Sequence, residues 1–254
     1  MKIMIISVLL IVGLSSCAEL LQVVNQVGTT TNSIIPVTNN ENISGLKNAL
    51  SIGIEQAVSS LGVENGFYNN AALKLLLPNE AQPIIDNIKL IPGGRDLVNK
   101  AVISLNRSAE DAVKEATPIF KTAITNMSIS DAVSILFGKE NAATEYLRQN
   151  TYNELKAAFA PKVKASLNKP LVANASTSKT WNTLSSGYNA VAESTIGSIY
   201  GLKTVNVDLE NYVTEKALDA LFIKVADEEK TIRKDPVARV TDLLKRVFGQ
   251  LDKK

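Results

Sequence analysis

The stretch GGRDLVNKAVISLNRSAEDAVKEATPIFKTAITNM, Gly93 to Met127, decides the fold class. Leu97, Ala101, Leu105, Ala109, Ala112, Ala116, Ile119, Ala123 and Met127 recur at intervals of three and four. That period lays one apolar stripe along an α-helix, whereas a strand would alternate its faces at every residue. Five of the nine positions are alanine, and small side chains let a neighbouring helix approach closely. The pattern therefore predicts a central helix in a bundle. Pro118 predicts a kink or break within it, because proline removes a backbone donor and crowds the preceding turn.

Working outward, the same signals recur. Thr38 and Glu41 have capping-box spacing, followed by Ile43, Leu46, Leu50, Ile54, Ala57 and Leu61 on one helical face, with Gly62 as the stop. Leu73 to Leu77 is a short apolar run closed by Pro78 and reads as extended. A short helix is expected around Glu80 to Leu90, with Pro83 in its first turn. After the long segment come helices at Asp131–Phe137, Asn141–Phe159 and Trp181–Ala192, with Pro161 starting a separate short turn and residues 168–180 forming a polar loop. Lys203 to Val207 alternates well enough for a second strand, with Leu73–Leu77 as its partner. Two helices close the chain, Leu209–Arg233 capped by Asp208 and Pro236–Phe248 capped by Asp235. The reading is a mainly α fold: a single multi-helix domain over residues 38–250, with room for one short two-stranded β pair.

The N-terminus gives an address. Lys2 precedes an apolar stretch, Ile3 to Leu14, which is shorter than the roughly 20 residues a membrane-spanning helix needs. Leu14-Ser15-Ser16-Cys17 resembles the bacterial lipobox, in which the cysteine is acylated and becomes the first residue after cleavage. Residues 1–16 then read as a lipoprotein signal peptide and 17–37 as a lipidated tether. Ala18 after the cysteine, rather than Asp, favours the outer membrane by the sorting known for that class, here facing the periplasm. More than one acyl chain anchors stably where a single one is marginal.

Composition excludes more than it selects. The 254 residues contain no histidine and one cysteine, with 27 Lys+Arg against 25 Asp+Glu. No histidine-dependent triad, zinc helix or proton shuttle can be built from this chain alone, and no intrachain disulfide. A net charge of +2 gives little attraction for nucleic acid. Apolar residues at 45% and charged residues at 20% fit a folded domain. No cofactor or metal is implied.

Chemistry-bearing patterns are few. Ser166–Lys169 and Ser176–Lys179 match S-x-x-K, but the companion elements of penicillin-recognising enzymes are missing and both are set aside. Two charge clusters remain. The first is Asn106, Arg107 and Glu110 on the long helix; the second is Glu228, Glu229, Arg233 and Arg239 near the C-terminus. With Asp131 they form the candidate set. In a cleft they would serve as acid/base groups, hold a hard cation or grip an anion. As structure, they would be salt bridges and caps that fix helix register, the commoner role of Arg and Glu on helices.

The same residues carry a family resemblance. Gly45–Leu50, Asn106-Arg107-Ser108-Ala109-Glu110, Asp131-Ala132 with Ile135–Gly138, and Ala143-Thr144 with Tyr146 and Arg148 occur in order. Tyr212-Val213, Lys216–Phe222, Glu228-Glu229, Ile232-Arg233, Pro236, Arg239 and Leu243–Lys245 follow. The set resembles the bacterial lipoprotein family known as domain of unknown function 4197, over nearly all of residues 40–249. Ser108 and Ala220 stand where the family has Ala and Gly. The resemblance implies an envelope-attached helical domain and supplies no activity, substrate or catalytic residue. The expectation is a non-enzymatic binding or scaffolding module, held to the membrane by its N-terminal lipid, with an envelope protein as partner and its oligomeric state open. The alternatives are a carboxylate-dependent hydrolase or cation-dependent enzyme, and a binder of a small hydrophobic ligand.

Overall fold

The structure, a computed structural model, describes residues 36–130 and 132–253. Residues 1–35, on which the expected signal peptide, Cys17 and most of the expected tether fall, and Asp131 lie outside the described residues. Among those described there are ten α-helices and no sheet. None of these helices is long and apolar enough to cross a membrane.

Helix α1 (Asn39–Leu61) begins where its capping box predicts. Thr38 Oγ1 accepts the Glu41 N–H at 3.2 Å, and the Glu41 carboxylate accepts the Thr38 N–H at 2.8 Å. Its buried face is Leu46, Leu50, Ile54, Ala57 and Leu61. After short α2 (Gln82–Asp86), the long periodic segment divides into α3 (Gly94–Val113) and α4 (Ala116–Asn126). Pro118 is the third residue of α4, where a helical N–H has no intrahelical acceptor, so its missing donor costs nothing. Continuous helix would instead have set its ring against the carbonyl of Lys114, where the chain breaks. Ala101, Leu105, Ala109, Ala112 and Ala116 are all buried, as the stripe requires.

Then come α5 (Ala132–Leu136), α6 (Ala142–Asn168), α7 (Thr177–Ala192), α8 (Thr195–Ile199), α9 (Leu209–Lys234) and α10 (Asp242–Phe248). Helix α9 packs chiefly on α1 and α6, while α3 packs on α7 and α6 and also meets α9, α1 and α4. Val225 of α9 packs at Gly53 of α1, while Arg233 lies over the Phe248 ring, beside Val247 packed at Gly45. The two helices therefore run antiparallel. A Cβ on Gly45 would sit 2.7 Å from a Val247 methyl. Gly45→Val should overpack this contact and cost about 1–3 kcal/mol in urea unfolding. Gly187→Ala, whose Cβ would meet nothing nearer than 3.9 Å, should be neutral or gain up to about 1 kcal/mol.

Three expectations need correction. The β pair does not form: the only bridge among the described residues joins Val172 and Ala175. Each extended segment is held instead by an asparagine on a helix. Asn106 accepts the Leu75 N–H at 2.9 Å and donates to its carbonyl at 2.8 Å. Asn189 does the same to Val205, at 2.8 and 3.0 Å. A side-chain amide thus makes the two bonds a neighbouring strand would have made. Secondly, α6 runs through Pro161, because Pro161 and Ala157, whose carbonyl loses its partner, are both exposed to water. Thirdly, Pro236–Phe248 is not one helix. A 3-10 turn, Pro236–Ala238, is separated from α10, which Thr241 caps by accepting the Leu244 N–H.

Candidate functional site

Glu110 is the first buried carboxylate, 3% exposed. Its Oε1 accepts the backbone N–H groups of Phe67 (3.1 Å) and Tyr68 (3.3 Å), in the turns that follow α1. Its Oε2 takes Arg107 Nη1 at 2.5 Å. Arg107 reaches onward through Nη2 to Glu64 and Asn65. Asn65 has φ +68°, a left-handed conformation that asparagine tolerates better than most residues. Asn106, fully buried, clamps Leu75 and donates a second bond to the Val102 carbonyl. Neighbouring residues of one helix thus fasten two separate stretches of chain.

Glu229 is the second, 1% exposed. Oε1 accepts the Ala143 N–H (3.0 Å), and Oε2 accepts the N–H and hydroxyl of Thr144 (2.8 and 2.6 Å). Those amides belong to the first turn of α6, so an anion from α9 sits at the positive end of another helix. Arg233 donates to Glu229 through Nε and Nη2 (2.9 and 2.7 Å). It also donates to the carbonyls of Leu136 and Ile135, the last residues of α5. Arg239 continues the series, donating to the Ile232 and Arg233 carbonyls that end α9 and making a two-pronged pair with Asp252. Each charge meets the helix end of opposite sign, which is the favourable arrangement for the helix dipole.

The sequence-selected residues therefore form two separate groups with no shared partner, not one cleft. Glu228 is half-buried on the flank of α9. Among the described residues, no group of three or more His, Cys, Asp or Glu could hold a metal ion. The S-x-x-K fragments have local roles. Ser166 and Lys169 both donate to Asp111, and Ser176 caps α7 by accepting the Lys179 N–H.

Sequence reasoning missed Asn189 and the α6–α9 ladder, in which Arg148 pairs with Asp219 and Lys156 with Glu215. Arg148 also lies over the rings of Tyr152 and Phe222. The alternation of Lys203–Val207 signalled an extended segment but not the side chain that satisfies its amides.

Two of the surface grooves among the described residues lie away from the buried carboxylates and their arginines. One, of about 410 Å³, runs between α4 and α6 and is lined by Ile119, Ala123, Leu155 and Ala158. The other, of about 560 Å³, lies between residues 72–80 and the first half of α9. Neither is lined by Arg107, Glu110, Glu229, Arg233 or Arg239.

Acid sensitivity follows from the outer carboxylates. The hydrogen bond from Arg239 holds Asp252 below the ordinary carboxylate range. Burial raises Asp111, but hydrogen bonds from Lys169 and Ser166 outweigh it and lower the group overall. Glu140 and Glu215 are lowered chiefly by Lys234 and Lys156. A carboxyl depressed in the folded state leaves the unfolded chain binding protons more readily, so its stabilisation is present above the unfolded value and lost as pH falls. With no histidine in the chain, the urea midpoint should be flat between about pH 6 and 8 and fall below about pH 4.

The fold and its buried pairs define an all-α domain whose inner carboxylates cap chain and helix ends. A family model described as Protein of unknown function (DUF4197) matches residues 36–249, and the chain belongs to that family. Neither the curated proteins nor the solved structures contain a match to it.

Proposed function

We propose that this protein is an envelope lipoprotein, attached through Cys17, whose domain acts as a non-enzymatic binding or scaffolding module on the periplasmic side of the outer membrane. The observation that carries the reading is the engagement of Glu110 and Glu229. Both are enclosed and bonded to backbone amides and arginine. A general acid or base must reach the proton it transfers, and a cation ligand must offer an open lone pair. Both carboxylates are shut away from solvent, and Glu229 has no lone pair left to offer. The Leu14–Cys17 motif supports the address, and surface grooves away from the buried charges supply places to bind.

The test combines metabolic labelling with crosslinking in cells. Labelled fatty acid should enter the wild-type chain and not Cys17→Ser, and crosslinking should recover the same envelope protein in repeated experiments. Label on Cys17→Ser, or no recurrent partner, would contradict the proposal. The apolar groove between α4 and α6 favours a second reading, a small hydrophobic ligand. Native mass spectrometry of the purified chain would reveal it as retained mass.

A further inference from the structure

The two asparagine-held segments are half-sheets: each has one edge satisfied by a side chain and no second strand. In the first, burial alternates along the chain. Leu73, Leu75 and Leu77 are buried, Lys74 is half-buried and Leu76 is 61% exposed. Asn106 takes both backbone groups of Leu75. In extended chain, the groups of successive residues point to opposite edges, so those of Lys74 and Leu76 face away from Asn106. That edge borders the 560 Å³ groove against α9. Tyr212 of α9 already acts as a partner there, donating its hydroxyl to the Leu76 carbonyl at 2.8 Å. The Leu76 N–H and the Lys74 carbonyl have no hydrogen-bond partner among the described residues.

We propose that Lys74–Pro78 and the facing flank of α9 form a strand-addition site for an extended segment of a protein partner carrying apolar side chains at alternate positions. The inference rests on the binding-module reading and gives its partner a chemistry. A carbonyl at one residue and an N–H two residues on match the amide groups of a single residue in a parallel strand, or of the residues flanking one in an antiparallel strand. Main-chain bonds of this kind supply affinity, and pockets for alternate side chains supply selectivity. Leu76 and Ile223, the latter 47% exposed, offer apolar contacts at this groove. Charged side chains commonly guard such an edge. Here Lys74 is drawn aside, its ammonium 3.7 Å above the Tyr68 ring, while Lys216, Asp219 and Glu80 on the groove walls leave charged groups for polar side chains of the same segment.

The test uses the full chain and a displayed library of random linear peptides. Enriched peptides should alternate apolar residues, and a bound peptide should slow hydrogen exchange at the Leu76 amide. Leu76→Pro deletes the unpaired N–H and should weaken binding about tenfold, the equivalent of one hydrogen bond. Ile223→Arg alters only an exposed side chain and should weaken the same peptides, which keeps the test decisive if Leu76→Pro does not fold. The site is overturned if no peptide is enriched or both variants bind as wild type does. It is also overturned if the edge pairs with a second copy, seen as a dimer lost in Ile223→Arg. Envelope partners crosslinked equally to wild type and Ile223→Arg would remove this site and leave the binding-module reading standing. The absence of any partner on the wild type would remove that reading itself.

Discussion

Glu229→Ala should lower the stability of the domain by about 3–5 kcal/mol, the cost of breaking a buried ion pair by removing one partner. The loss has two parts. Arg233 is nearly enclosed and would keep its charge with only carbonyls left to accept from it. The Ala143 and Thr144 amides would lose their acceptor at the start of α6. Replacing both residues, Glu229→Leu with Arg233→Met, removes the orphaned charge and should recover part of the loss. Apolar side chains of similar size commonly match a buried ion pair in stability. The amides would still be unpaired, so recovery stays incomplete. Urea unfolding of the three variants measures each part.

Asn106→Ala is the second large effect. It removes the bonds to Leu75 and Val102 and leaves the Leu75 N–H and carbonyl buried without partners. A buried polar group left unpaired costs roughly 1–3 kcal/mol, and two are exposed to that penalty here. Asn106→Asp should fare little better, because a carboxylate cannot donate to the Leu75 carbonyl and would carry a charge into a fully buried position. Besides the shift in urea midpoint, the amide of Leu75 should lose its hydrogen-exchange protection, whereas Val205, held by Asn189, should keep it.

The helical class was readable because helix periodicity is a local property. Leu97 to Met127 fixes a face, Thr38 with Glu41 fixes a start, and Pro118 fixes the neighbourhood of a break, all within a few residues. Pro161 misled because its effect depends on solvent reaching the Ala157 carbonyl, which depends on how α6 packs. The strand pair misled for a related reason. Alternation along Leu73–Leu77 and Lys203–Val207 reports that a segment is extended and half-buried, not who bonds its amides. Asn106 and Asn189 fill that place from 31 and 16 residues away.

The candidate residues were legible as a set and opaque in role. Glu229 meets its amides 85 and 86 residues along the chain, and Arg233 meets its carbonyls 97 and 98 residues away. Nothing within Glu228–Arg239 distinguishes a cap for a remote helix from a wall of a cleft. Glu228 and Glu229 are adjacent and chemically alike, yet one is half-buried on a helix flank and the other enclosed. Only the packing of α9 against α5 and α6 separates them.

The central claim is that these charges hold helix ends together. A double-mutant cycle on Glu229→Ala and Arg233→Ala, followed by urea unfolding, tests it most directly. Residues that share one buried network should show a coupling of about 0.5–3 kcal/mol, with each single variant markedly less stable than wild type. Single variants that unfold at the wild-type midpoint, with no coupling between them, would contradict it.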